Sequence, residues 1–220
     1  MIEKVKRVFN LIMAKKLQSI EVAERLKDAG FIVFTPREFR LVFNVSEKSA
    51  SMFILNNTKK GLFLKLRNNL YLLKDSRTPH YYIANKMYEP SYVSLETALS
   101  RYSIIPETVY AITSITTKST REYNTPIGSF LYQRIKKQAY TGYSLKEIDG
   151  WKAFIAEPEK ALADHLYFVD LKKKMLNDRL NLQNIDKSKL EAFAKLFNRP
   201  GMLTLIEHIY AEYRKPRKIY

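Results

Sequence analysis

The stretch "TPREFRLVFNVSEKSASMFILNNTKKGLFLKLRNNLYLLKD", residues 35–75, leaves few folds open. Thr35 is a good N-cap, Pro36 suits the first helical position because its φ is already fixed, and Glu38 stands where a capping box needs it. Phe39, Val42 and Phe43 follow at helical spacing as an inward face. After a brief turn a second helix starts on Ser46 and stops at Gly61. Then Leu62, Leu64 and Leu66 alternate with Phe63 and Lys65, and "LYLL" returns. Between the two runs, Asn68 and Asn69 tolerate the positive φ that a tight hairpin demands. A short helix, a turn, a helix and a hairpin in this order predict a winged helix-turn-helix with the hairpin as its wing.

On a wheel of about 100° per residue, the helix after Ser46 divides in two. Ala50, Phe53, Ile54 and Asn57 share one side, and Lys48, Ser49, Met52, Asn56 and Lys59 share the other. A helix that reads DNA needs such a split, with one face seated on its domain and the other offering hydrogen bonds and charge. Lys65 and Arg67 on the wing suit the sugar-phosphate backbone. Thr35, Arg37, Ser46 and Lys60 complete the expected DNA-binding set. A solvated charged face on a small helical domain is the plainer alternative.

Charge decides between them. The formal net charge is +16, which makes a polyanion the natural partner and an anionic membrane surface the second choice. Residues 1–75 hold 15 Lys+Arg against 7 Asp+Glu, residues 76–170 hold 11 against 10, and residues 171–220 hold 12 against 5. Both ends are therefore basic and the middle is neutral. Lys172, Lys173, Lys174, Arg214, Lys215, Arg217 and Lys218 form a candidate second phosphate-contacting surface, with a solubilising tail as the alternative.

Elsewhere the periodicities mix. Val5, Val8, Phe9, Ile12 and Met13 predict an N-terminal helix, and "SIEVAERLKDAG" a second one ending at Gly30. After the linker "SRTPH", the runs "HYYIAN", "TVYAITSI", "STREYN", "SFLYQRI" and "WKAFIA" read as strands, interrupted by helices in "SLETALSRY" and "EPEKALADHLYFVD". "DKSKLEAFAKLF", capped by Asp186, and "PGMLTLIEHIYAEYR", with a stripe of Leu203, Ile206, Ile209, Tyr210 and Tyr213, predict a helical end. The expected fold class is α+β. A winged helix-turn-helix over 1–76 precedes a mixed α+β domain over 77–170, and a basic helical extension over 171–220 packs on that domain. The chain has no cysteine, which excludes disulfides and thiolate metal sites. No apolar run approaches a bilayer-spanning length and "MIEKVKRVFNLIMAKK" is no signal peptide, so the expected location is the cytoplasm.

Catalytic chemistry finds little support. His80, His165 and His208 lie far apart without metal-ligand spacing. Glu157, Glu159 and Asp164 fit a nuclease magnesium site, but the simpler expectation has Glu157 and Glu159 at a helix start with Lys160 paired to them. Thr116, Thr117, Lys118, Thr120 and Arg121 suit a phosphate clasp, yet no glycine-rich loop accompanies them. Trp151 and the tyrosines suit base stacking or a core. The expectation is a protein without catalytic residues, metal or cofactor.

One segment is more specific. "YYIANKMYEPSYVSLETALSRYSIIPETVYAITSITTKSTREYNTPIGSFLYQRI", followed by "AEPEKALADHLYF", resembles the AbiEi family of antitoxins and transcriptional regulators, most closely over residues 85–132 and 156–167. The resemblance implies a bacterial toxin–antitoxin pair linked to abortive phage infection. It implies an antitoxin that binds double-stranded operator DNA, represses its own operon and counters a nucleotidyltransferase-like toxin. Neutralisation by direct toxin contact through residues 76–170, and a general winged-helix regulator, are the alternatives.

Overall fold

In the computed structural model, which describes residues 19–74 and 76–213, the chain divides into two units, Met1–Ser76 and Arg77–Tyr220. The helix expected over Val5 to Met13 lies outside the described residues.

The first unit begins with α1 (Ser19–Asp28), which buries Val22 and Leu26 and gives way at Gly30, φ 74°. A short strand β1 (Val33–Phe34) leads into α2 (Pro36–Phe43). There the capping box is complete: Glu38 N–H donates to the Thr35 hydroxyl, and Thr35 N–H donates to Glu38 Oε2 at 2.7 Å. Asn44 turns the chain out of α2 in the left-handed conformation, φ 50°. Next, α3 (Glu47–Lys59) is capped by the Ser46 hydroxyl. β2 (Phe63–Arg67) and β3 (Leu70–Leu73) form the hairpin around Asn69, φ 56°, and β1 adds to β3, giving the order β1-β3-β2, antiparallel throughout.

Aromatic rings fill this unit. Phe34 meets Phe63 edge-on at 5.0 Å, and Phe39 lies 4.5 Å from Phe43 and 5.6 Å from Phe53. The hairpin departs from strict alternation. Its register shifts between Lys65 and Arg67, so Phe63 and Leu66 are buried while Leu64 is only half-buried. The expected alternation of Leu62, Leu64 and Leu66 with Phe63 and Lys65 is thus interrupted: a bulge places an extra residue on β2 and carries Leu66 into the core alongside Phe63.

The second unit is built on a mixed six-stranded sheet, order β6-β7-β5-β4-β9-β8, from β4 (Ser91–Val93), β5 (Ile112–Thr116), β6 (Arg121–Thr125), β7 (Gly128–Arg134), β8 (Tyr143–Ile148) and β9 (Trp151–Ala156). β4 pairs antiparallel with β5 and parallel with β9, and β5 runs parallel to β7. Helices α4 (His80–Met87), α5 (Leu95–Arg101), α6 (Pro158–Asp170), α7 (Lys187–Lys195) and α8 (Pro200–Tyr213) accompany it. α6 is the most buried, with every residue from Glu159 to Phe168 withdrawn from solvent. The α7 region closes over it: Phe197 stacks on Tyr167 at 4.4 Å, and Lys136 Nζ donates to Phe197 O at 2.7 Å. In α8 the buried residues are Met202, Ile206 and Ile209, whereas Tyr213 stays 39% exposed. The architecture is mixed α+β.

Two expectations are corrected here. "HYYIAN" is helical, not a strand. Its β-favouring Tyr81, Tyr82 and Ile83 are overridden because helix buries Ile83, Ala84 and Met87 on one side, with Asn85 beside them. Tyr143–Ile148, for which no strand is expected, is the edge strand β8. It is mostly polar and half exposed, so apolar alternation does not announce it. Among the described residues, no helix is long and apolar enough to cross a membrane.

Gly142 sits where a side chain cannot. Its φ is 72°, and a β-carbon there would come within 2.5 Å of the Phe193 ring. Replacement by alanine combines left-handed strain with overpacking and is expected to cost about 2–4 kcal/mol. Gly150→Ala, at φ 78° but facing open space, should cost only about 1–2 kcal/mol. Urea unfolding of the two variants checks the difference, and equal losses would remove the Phe193 clash.

Candidate functional site

α3 is divided as its wheel requires. Ala50, Ile54 and Asn57 are buried, and Asn57 is held from both ends: its Nδ2 donates to Phe53 O at 2.9 Å, and the Ser19 hydroxyl donates to its Oδ1 at 3.0 Å. The opposite face is open. Lys48, Ser49, Met52, Asn56 and Lys59 are all exposed, as is Lys60 just beyond the helix. Met52, at 56% exposure, is a flexible apolar side chain among polar neighbours.

The remaining expected residues are placed unequally. Arg37 and Lys65 are exposed. Arg67 is half-buried, and its Nη1 donates at 3.0 Å to the carbonyl of the next residue, Asn68. Thr35 is half-buried, with its hydroxyl donating to Glu38 Oε2 at 2.8 Å, so it serves its own helix. Ser46 caps α3 and lies 2.9 Å, hydroxyl to hydroxyl, from Ser49. Of the expected DNA-binding cations, Arg37, Lys48, Lys59, Lys60 and Lys65 are thus exposed.

The second basic surface is only partly described. Lys172 and Lys173 are exposed in the turn after α6. Lys174 instead donates to Glu96 Oε1 at 2.6 Å, fastening that turn to α5. Arg214, Lys215, Arg217 and Lys218 lie outside the described residues.

The carboxylates considered for metal chemistry do not converge. Glu157 and Glu159 face Lys189, whose Nζ lies 2.6 and 3.5 Å from them. Asp164 points the other way and is fully buried. It accepts from Lys160 Nζ, from the Tyr92 hydroxyl at 3.0 Å and from the Ser94 hydroxyl at 2.8 Å. The expected pairing of Lys160 with Glu157 and Glu159 is therefore corrected. Lys160 lies four residues before Asp164, one helical turn away on the same buried face. Burial pushes the Asp164 carboxyl up, the Lys160 ammonium down and the Tyr92 phenol well up. Among the described residues, no group of three or more His, Asp or Glu side chains could hold a metal ion.

The other candidates also find structural partners. Thr116 is buried and donates to Pro90 O at 2.7 Å. Thr120 accepts from Arg134 N–H at 3.2 Å, and Lys118 donates to Glu89 O while lying 5.6 Å from the Tyr88 ring. His80 stands edge-on to Phe130, and Trp151 lies 4.8 Å from Tyr82. His165 is buried, with Nδ1 3.3 Å from Glu96 Oε1. Burial alone would raise the Glu96 carboxyl, but His165 and Lys174 outweigh it and hold it at about 2 against an ordinary 4.5. The sequence motifs contain Tyr92, Ser94, Glu96, Lys160 and Asp164, but single-helix spacing gives no sign that they meet. The chain matches none of the protein-family models and none of the curated proteins it was compared with.

Two outcomes follow from the buried network. Asp164→Ala strands the Lys160 charge and is expected to cost about 3–5 kcal/mol, much of it regained when Lys160→Met is added; chemical denaturation measures both, and a wild-type midpoint for the single variant would sink the network. Glu96 has a folded-state pKa below its unfolded one, so its contribution is full above about pH 4.5 and is lost as the pH falls toward 2. Wild type and Glu96→Gln should therefore differ in stability at neutral pH and converge on acidification.

Proposed function

We propose that the first unit is a winged helix-turn-helix that binds double-stranded operator DNA, and that the protein is a transcriptional repressor acting in the cytoplasm. The observation that carries this is the open face of α3. An aromatic core seats the helix, its solvent side presents Lys48, Ser49, Met52, Asn56 and Lys59, and the hairpin beside it presents Lys65. Lys48, Ser49, Met52 and Asn56 are assigned to base edges, and Arg37, Lys59, Lys60, Lys65 and Arg67 to phosphates. The strongly basic sequence of this segment fits a polyanion better than a merely solvated surface does.

A narrower reading rests on the resemblance of residues 85–132 and 156–167 to the AbiEi family. On it, the protein is an antitoxin that represses its own operon and counters a nucleotidyltransferase-like toxin. The second unit then belongs to the antitoxin role, either without a stable complex or by direct toxin contact. Independent elution of the two proteins from a sizing column would exclude the direct form.

Replacing Lys65 and Arg67 by alanine should weaken binding to all DNA sequences alike and reduce the salt slope by about one unit per lost phosphate contact. Replacing Asn56 by alanine should instead erode discrimination between the upstream promoter fragment and random DNA. Electrophoretic mobility shifts across a salt series read both. An unchanged slope removes the hairpin from the interface, and no preference for the promoter fragment in the wild type removes the repressor reading.

A further inference from the structure

The second unit holds a cleft that DNA binding by the first does not use. It encloses about 350 Å³ between α4 and the β8–β9 hairpin. Its most unusual feature is the pair Leu145 and Phe154, direct partners across the two strands, which remain 50% and 43% exposed. An aliphatic and an aromatic side chain standing open together on a sheet face call for a cover. The aromatic wall is also held still. Tyr143 meets Phe154 edge-on at 5.7 Å and stacks at 4.4 Å on Tyr92, which the Asp164 network anchors. Asn85 fixes the strand behind them, accepting from Phe154 N–H at 2.6 Å and donating to Phe154 O at 3.3 Å. The cleft therefore exists before any ligand arrives.

Its charged groups are Lys86, Lys152 and Glu89, set among the Asn85 amide, the Ser91 hydroxyl and the hydroxyls of Tyr82, Tyr140 and Tyr143, so cations outnumber carboxylates two to one. Lys152 lies two residues from Phe154 on the same strand face, is exposed, and has no partner among the described residues. Lys86 stands opposite on α4, 3.3 Å from Glu89 in an exposed pair. Ser91, only 5% exposed, also lines the cleft, and its hydroxyl has no hydrogen-bond partner among the described residues. A wholly apolar ligand would strip water from the two lysines without return, and a wholly polar one would leave Leu145 and Phe154 wet. A flat ring carrying an anionic group satisfies both. The volume lies at the small-ligand end of the range for binding sites, too confined for a stretch of peptide.

We propose that this cleft binds a mononucleotide, with the base against Phe154 and Tyr143 and the phosphate at Lys152 and Lys86. Base–aromatic stacking and a charge-assisted phosphate contact are the two interactions its walls offer. The site is lined by residues of the second unit alone.

Isothermal titration calorimetry of the full chain with AMP, GMP, CMP and UMP tests this. Trp151, the only tryptophan in the sequence, serves as a fluorescent reporter because it packs on Tyr82 at the cleft wall. Saturable binding of at least one nucleotide with a change in Trp151 emission is expected, weakened about tenfold for the matching nucleoside. Lys152→Ala and Leu145→Ala, both at exposed positions, should each weaken it about tenfold while leaving the melting temperature unchanged. The proposal is overturned if none of the four binds, if neither variant changes the affinity, or if only a single-stranded oligonucleotide or a peptide from a partner protein occupies the cleft. Mobility shifts with promoter DNA run alongside, so loss of nucleotide binding is distinguishable from loss of operator binding.

Discussion

A single carboxylate organises the larger unit. Asp164 is fully buried, and removing such a group from water costs several kcal/mol unless its oxygens are satisfied. Three donors from separate places satisfy it: Lys160 one turn earlier on α6, Tyr92 on β4, and Ser94 at the entry to α5. Ser94 occupies the N-cap of α5, yet its side chain makes no cap bond, because its hydroxyl is spent on Asp164. The start of α5 is secured by threonines instead. The Thr113 hydroxyl donates to Ser94 O at 2.7 Å, and Thr97 N–H donates to the Thr113 hydroxyl at 3.1 Å. The "YVSLETAL" and "EKALADHLY" segments are thus two halves of one buried polar cluster, which is physical reason enough for their residue order.

The smaller unit solves a different problem: how to keep one side of a helix unpacked without loosening it. Five aromatic rings, Phe34, Phe39, Phe43, Phe53 and Phe63, grip α2 and α3 from within. Caps at Thr35 and Ser46 and the left-handed exit at Asn44 fix where each helix begins or ends. Arg25 adds a contact from α1, donating to Val42 O at 3.0 Å and lying 5.0 Å from the Phe43 ring. With its inner face so constrained, α3 can leave its outer face to solvent.

What was legible in the sequence was local. Caps, glycine stops and the split of α3 depend on residues within four positions of each other, and they emerge as expected at Thr35, Ser46, Asp186 and Gly30. Features set by distant partners were hidden. The helix at His80–Met87 follows from burial against the sheet rather than from the preference of its tyrosines. The true partner of Lys160 depends on which face of α6 turns inward. The bulge in β2 puts Leu66 rather than Lys65 on the buried side with Phe63, without any glycine to mark it. On the open side of α3, exposure follows from the wheel, whereas the bond from Arg67 Nη1 to Asn68 O depends on the geometry of the hairpin turn.

The strand order carries a consequence for biosynthesis. The three-stranded sheet is complete once residue 73 has been made. β4, near the middle of the larger sheet, pairs through Val93 with Ile155 of β9, so one of its edges has no strand to accept until the ribosome has added the whole intervening chain. Such non-local closure is slow relative to local closure. A nascent chain stalled or truncated before β9 would therefore carry an assembled small sheet and a larger one with an open seam at its centre, a place where chaperones or stray strands would find purchase.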